Sequence, residues 1–388
     1  MFKEHHKTYS GIFWDSSSPD DKLFGTLTLN PHGTSKLAIY TSTEKPELLK
    51  KTTCLYGYVD KIKHVRLDNC DVIRSLDSLY PGEQRFIKYE LDIPLVFSNT
   101  SSILESTQFS KMSIEIPELR NWTKGEICSE TSRLTEYNNI DISIDLLKTD
   151  SPKLVLESEQ DLPFSEFQAL SVRIIALLNF ALWGQISFGQ IKAVQKKGLS
   201  SNIFHSTNFW GHTEHLSKIQ LSPIFTLHNI TTEAKPIFDN WLSAYDQIRA
   251  SIVLCLSTMR KNGSYIFTEK FLSLTQAIEA LYAKENQIEN KSIYLKDVLK
   301  NYRETKSYVD PDIFDDKTIA DINGIRAYYT HYNPIKEGLV PTDDTVLFKL
   351  KMTLECLLIT LILDFIGFEK IKDIISNNCV LKKYLTKI

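Results

Sequence analysis

The chain has 388 residues, too many for one ordinary hydrophobic core, so two or three domains are expected. Hydrophobic residues make up 42% and charged residues 24%, the balance of a soluble globular protein; a net charge of −3 excludes a wholly basic nucleic-acid-coating protein while leaving room for a local basic face. Six scattered cysteines form no C-x-x-C pair, which argues against a zinc ribbon or a secreted disulfide framework and for a reducing cytoplasm.

Short runs of strand formers dominate the first 155 or so residues. In "FGTLTLNPHGTSKLAIY", Leu27 and Leu29 alternate, Asn30-Pro31-His32-Gly33 supplies a turn, and Leu37 with Ile39 resumes the alternation. That pattern predicts a hairpin. "CLYGYVDKIKHVRLDNC", "RFIKYELDIPLVF", "KMSIEIPEL" and "DISIDLLK" add further strands, and the set predicts an antiparallel sandwich or barrel-like domain over 1–155. Pro152 and Pro163, set among charges, mark a boundary, and 156–233 reads as a connecting helical and mixed region.

The period then changes. Phe167, Leu170, Ile174, Leu177 and Leu178 share one helical face, and Gly184 can stop that helix. Residues 184–232 read as a connection with uncertain strands. From Pro236 onward the pattern is helical, giving a bundle over 234–388. Trp241, Tyr245, Ile248, Ile252, Cys255 and Met259 form one stripe, and Phe267, Phe271, Leu274, Ile278 and Leu281 a second. Further helices are expected at roughly 316–331 and 344–366, the last closing at Gly367. "LLITLILDFIGF" (357–368) is interrupted by Thr360 and Asp364 and falls short of the roughly 20 residues that cross a bilayer. It predicts a buried helix and no membrane partner. The fold class expected is α+β, an antiparallel β-rich domain followed by an all-α bundle. The start, "MFKEHHKTYSGIFWD", has no apolar run of signal-peptide length, so the expected location is the cytoplasm.

"IRAYYTHYNP" (325–334) is the stretch richest in chemistry. On a helix, Arg326 and His331 stand about 140° apart. Asn333-Pro334 ends the helix just after the histidine, so its last turn can unwind and bring His331 back toward Arg326. A fixed cation beside an imidazole that titrates near neutrality suits phosphate chemistry. The bland reading is an exposed arginine and a histidine capping a helix C-terminus. Glu279, in "QAIEAL", can point inward and hold Arg326, or be surface charge.

"KSIYLKDVLKNYRETKSY" (291–308) sets Lys296, Lys300 and Arg303 at helical spacing, with Lys291 and Lys306 nearby and Tyr294, Tyr302 and Tyr308 interleaved. Such a face can follow an RNA backbone and stack bases. Equally, it describes a solvated amphipathic helix whose Leu295 and Leu299 face the core. "HTEH" places His212 and His215 about Glu214, but no third ligand follows and Gly211 favours a turn. No metal and no other cofactor is therefore expected. Cys54 and Cys70, on neighbouring strands, are expected to stay reduced.

"NGIRAYYTHYNP" resembles the arginine-to-histidine signature of the HEPN superfamily, whose members are often metal-independent endoribonucleases. "FLSLTQAIEALYA" and "LLITLILDFIGF" are similar to the helices that flank it there. "FGTLTLNPHGTSKLAIY", "LYGYVDKIKHVRLDNC" and "KMSIEIPELRNW" resemble the N-terminal domain of ApeA-type anti-phage proteins, which pair a β-rich domain with a C-terminal HEPN domain. The likeness is most secure over 11–122 and 237–368. It implies an endoribonuclease of phage defence and abortive infection, in which the RNA 2′-hydroxyl attacks the adjacent phosphorus. Arg326 and His331 take the catalytic positions, and Tyr332 and Asn333 are supporting candidates with Glu279. Two departures stand out: Ala327 follows the arginine where a polar residue is common, and Asn333 stands where some relatives carry tyrosine. The implied partners are RNA, with transfer RNA one candidate, a second copy bound through the helical domain, and a phage-derived trigger. The alternative is a catalytically inactive dimerisation scaffold whose β-domain binds a phage component. A carbohydrate-binding β-domain has only a fold-level warrant.

Overall fold

The computed structural model describes residues 7–15, 17–30, 34–42, 54–79, 85–99, 101–102, 104–123, 131–146, 151–184, 186–205, 223–230, 234–259, 267–289, 293–331 and 343–386. The chain forms two compact units. One comprises 1–117, 129–172 and 187–214, the other 118–128, 173–186 and 215–388.

The first unit is a continuous antiparallel sheet of 14 strands. They are β1 (Lys7–Asp15), β2 (Ser18–Leu29), β3 (Ser35–Thr41), β4 (Cys54–Val59), β5 (Lys63–Asp68), β6 (Asp71–Leu79), β7 (Arg85–Ile93), β8 (Leu95–Asn99), β9 (Gln108–Glu115), β10 (Thr131–Tyr137), β11 (Ile140–Asp145), β12 (Lys153–Pro163), β13 (Ile191–Val194) and β14 (Ser200–His205). Their spatial order is β10-β11-β12-β9-β13-β14-β8-β5-β4-β1-β2-β3-β7-β6. The expected hairpin is present, with Leu27 opposite Leu37 and Thr28 opposite Lys36. Strict alternation explains the strand: in "SKLAIYT" Leu37 and Ile39 are buried while Lys36 and Tyr40 face out. Phe13, Leu27, Ile39, Leu55, Val59, Leu67, Leu91 and Val96 share the core beneath. Each such side chain contributes about 1.5–3 kcal/mol on burial.

The boundary expected at 151–163 is not one. Those prolines flank β12, with Pro152 just before it and Pro163 its last residue, positions where a missing N–H costs little. Domain limits of 1–155, 156–233 and 234–388 therefore do not follow the compact units. β13 and β14, drawn from the stretch read as a connection, stand in mid-sheet between β9 and β8.

The second unit is helical. It holds α1 (Leu119–Thr123) and the end of α2 (Phe164–Leu182), then α3 (Ala234–Met259), α4 (Phe267–Glu285), α5 (Leu295–Thr305), α6 (Asp316–His331), α7 (Asp344–Phe365), α8 (Ile371–Asn377) and α9 (Cys379–Leu385). α4 packs against α3, α5, α6 and α7. The two stripes read from sequence are buried as expected from Trp241 to Cys255 and from Phe271 to Leu281. Trp241 also donates from Nε1 to the Arg173 carbonyl at 2.8 Å. α7 is buried on all sides from Met352 to Leu363, so its apolar run is a core helix. It ends at Gly367, whose φ of +82° an L side chain rarely adopts. Among the described residues, α2 alone is long and apolar enough to cross a membrane, and most of it is buried within the protein. α8 and α9 were not anticipated; Asn378 caps α9 by accepting from the Val380 and Leu381 N–H groups.

Candidate functional site

α6 owes its start to Asp315, whose carboxylate accepts from the Thr318 N–H at 2.7 Å. That hydrogen bond, which favours the ionised form, holds the Asp315 carboxyl below its usual range. Ile319, Ile322, Gly324 and Ile325 bury one face of the helix. Arg326 follows the last of these and lies at the edge of the buried face. Its Nη2 donates to Glu279 Oε2 on α4 at 3.0 Å. Glu279 is the more buried partner, its side chain 13% exposed against 30% for Arg326. The other carboxylate oxygen, Oε1, is buried and has no hydrogen-bond partner among the described residues. The inward reading of Glu279 is thus the correct one.

Beyond Arg326 the helix turns toward solvent. Tyr329 lies 6.3 Å from the Phe267 ring and 5.2 Å from Tyr328, while Thr330 and His331 are exposed. Thr330 donates from Oγ1 to the Arg326 carbonyl at 2.7 Å. The expected unwinding of the last turn is absent, because α6 stays helical through His331. Within one chain, Arg326 and His331 are therefore separated by about 7.5 Å along the axis and about 140° around it. The cause is local: intrahelical hydrogen bonds still hold this turn. Ala327 is partly exposed beside the arginine. Tyr332 and Asn333 lie outside the described residues, as do Lys291, His212, Glu214 and His215.

The basic helix α5 divides its side chains differently from the expected RNA face. Leu295, Val298, Leu299 and Tyr302 are buried, so Tyr302 cannot stack on a base. Arg303 donates to Asp316 Oδ1 at 3.1 Å and to the Phe314 carbonyl at 3.3 Å. Lys300 is 3.8 Å from the same carboxylate. Lys306 lies between Glu285 and Asp364, 2.7 Å from the latter, and Tyr308 donates to Asp364 at 3.2 Å. These charges tie α5 to its neighbours. Lys296 and Tyr294 remain exposed. The carboxylates that engage the basic residues had no signal in the sequence, since each comes from another element.

Among the described residues, no three of His, Cys, Asp and Glu are grouped so as to hold a metal ion. Cys54, Cys70, Cys255, Cys356 and Cys379 are free thiols. Burial raises the Cys54 thiol to about 12, helped by the negative charge of Asp68.

Residues 8–151 match the family model described as ApeA N-terminal domain 1, which takes in β1 to β11 and none of α2 to α9. No curated protein and no solved structure matches the chain.

Proposed function

We propose that this chain is a metal-independent endoribonuclease acting in anti-phage defence, with its chemistry in the helical unit. The match of 8–151 to an ApeA N-terminal domain supports the defence role. The observation that carries the chemical reading is Arg326, fixed by Glu279 at 3.0 Å just before a helix end that exposes His331. A guanidinium oriented by a carboxylate is poised to take charge from a phosphate, and a solvent-facing imidazole is free to move a proton.

In the reaction, the 2′-hydroxyl loses its proton and attacks the adjacent phosphorus. The bond from phosphorus to the 5′-oxygen breaks, leaving a cyclic phosphate and a 5′-hydroxyl. His331 moves the proton, and Arg326 stabilises the charge on the crowded phosphorane. Since Arg326 and His331 diverge within one chain, the working site combines the helix ends of two copies. A second copy also supplies a second imidazole, so that one acts as base and the other as acid.

The same ion pair favours a second reading. Arg326 already has a partner within the chain, so α6 and α4 can form an inactive scaffold that only displays the β-unit. Incubating purified protein with total RNA in EDTA separates the two. The proposal expects cleavage with cyclic-phosphate ends, lost in Arg326→Ala and His331→Ala. An uncut RNA pool at micromolar protein assigns the helical unit to the scaffold.

A further inference from the structure

One face of the β-unit carries aromatic side chains that do nothing for its core. In β1 to β5 and β7, alternate residues such as Phe13, Leu37, Ile39, Val59 and Leu67 point inward and are buried. Their neighbours face out, and the strand register aligns them in rows. Tyr58 stands opposite Ile12, Ile12 opposite Phe24, and Phe24 opposite Tyr40. Phe24 is 55% exposed and Tyr58 46%, unusual for rings that could have been polar at no cost to the fold. Neighbouring strands are about 4.8 Å apart, so this row presents an apolar track roughly 14 Å long.

Both ends of the row are nitrogenous. His64 stands opposite Tyr58, its ring edge-on at 5.3 Å, and Lys88 stands opposite Tyr40. A parallel row repeats the arrangement. Trp14 stands opposite Tyr56, Lys22 Nζ lies 5.8 Å from the Trp14 ring, and Arg66 Cζ lies 5.8 Å from the Tyr56 ring. Between His64 and Lys88 the first row carries no carboxylate; Asn99 stands opposite His64 beyond its end, and in the second row Trp14 faces a bulge of β2 that holds Asp20 and Asp21 beside Lys22. Arg66 is mostly buried and held by Asp68 at 2.8 Å and by the Glu105 carbonyl at 2.6 Å, whereas Lys88, 2.6 Å from Glu90, is more open.

We infer that this face binds single-stranded nucleic acid, stacking bases on Tyr58, Phe24, Tyr40 and Trp14 while Lys22 and Lys88 meet the phosphates. Every base offers a π-face, and an extended strand repeats base and phosphate at spacings these rows can follow. A sugar polymer is less well matched. It would also stack on the rings, but an uncharged chain gains nothing from Lys22 and Lys88 beside them, which a phosphate backbone uses. A duplex hides its bases and would find no use for the track. This inference does not depend on RNA cleavage by the helical unit.

The test uses the full chain and a fluorescein-labelled oligothymidylate of about 20 nucleotides, which lacks a 2′-hydroxyl and so resists the proposed cleavage. Fluorescence anisotropy should show binding that weakens with salt at a logarithmic slope of about −1.4, for about two phosphates met. Phe24→Ala and Tyr58→Ala should each weaken it by about 5-fold or more. Lys22→Gln should flatten the salt slope by about 0.7. A self-complementary duplex of the same length should bind about 10-fold more weakly or worse. Should Phe24→Ala prove insoluble, Tyr58→Ala and Lys22→Gln carry the comparison, since both sites are exposed. Absence of binding by the parent chain overturns the inference. So does unchanged affinity in the soluble ring variants, equal affinity for the duplex, or a polysaccharide that binds through these rings when the oligonucleotide does not.

Discussion

Arg326 and Glu279 join α6 to α4 at 3.0 Å, whereas His331, five residues further on, is exposed. The two residues proposed for one reaction thus have unequal structural roles, which makes them separable. Arg326→Ala strands a mostly buried carboxylate whose second oxygen already has no hydrogen-bond partner among the described residues. It should cost about 1–3 kcal/mol. His331→Ala removes an exposed side chain and should stay within about 0.5 kcal/mol of the parent. Both should abolish RNA cleavage. Melting temperatures and cleavage rates measured on the same preparations check this. Equal melting temperatures would show that Glu279 does not rely on Arg326, and loss of fold in both variants would return the pair to a structural role.

The clasp around Lys306 predicts a pH response. Burial pulls the Lys306 pKa down, but hydrogen bonds to Asp364 and Glu285 outweigh it, and the net shift is upward from 10.5. Burial, with the negative charge of Glu285 or Asp364, also raises Tyr302 and Tyr308 above 10.0. Groups raised on folding contribute stability that is complete below their unfolded pKa and is lost as pH climbs toward the folded one. The clasp should therefore be intact at pH 8 and should weaken above about pH 10. Lys306→Met should cost about 1–3 kcal/mol at pH 8, less than a fully buried pair because these side chains remain partly wet. Urea unfolding at both pH values gives the difference between parent and variant. It should shrink at the higher pH; a constant difference would mean that the lysine charge is not what holds α5 to α7.

Local patterns were legible and distant partners were not. Ile319, Ile322 and Ile325 repeat at helical spacing, so the α6 span could be read directly, and Gly367 announced the end of α7. Glu279 was readable because it neighbours the buried Ile278 in a strong stripe. By contrast, "IKAV" and "SSNIFH" are too short to show a period, and their sheet partners β9 and β8 lie far back in the chain. The α5 cations misled for the same reason: Asp316 is 13 residues from Arg303, and Asp364 is 58 from Lys306. A run of lysines reads alike whether water or a carboxylate meets it. The ring rows on the sheet were hidden as well, since Ile12, Phe24, Tyr40 and Tyr58 become neighbours only through register.

Phe13 seats β1 in that sheet. Phe13 is fully buried and its ring lies over Gly57 of β4 and Gly25 of β2. A Cβ at Gly57 would stand 2.6 Å from Phe13 Cδ1, closer than real carbon contacts come, and 3.0 Å from Val65 Cγ2, which is tight. Backbone freedom is not the issue, since Gly57 shows no positive φ; the space is simply occupied by the ring. Gly57→Ala should therefore overpack the core and cost about 1–3 kcal/mol. Phe13→Leu alone should cost a comparable amount by leaving a void over the two glycines. Combined, the new methyl enters the space the ring vacates, so the double variant should be more stable than the sum of the single losses predicts. Urea unfolding of all four proteins completes a double-mutant cycle, with an expected coupling of about 1 kcal/mol or more. Strict additivity would mean that Phe13 and Gly57 do not compete for the same volume, and the packing argument for β1 against β4 would fail.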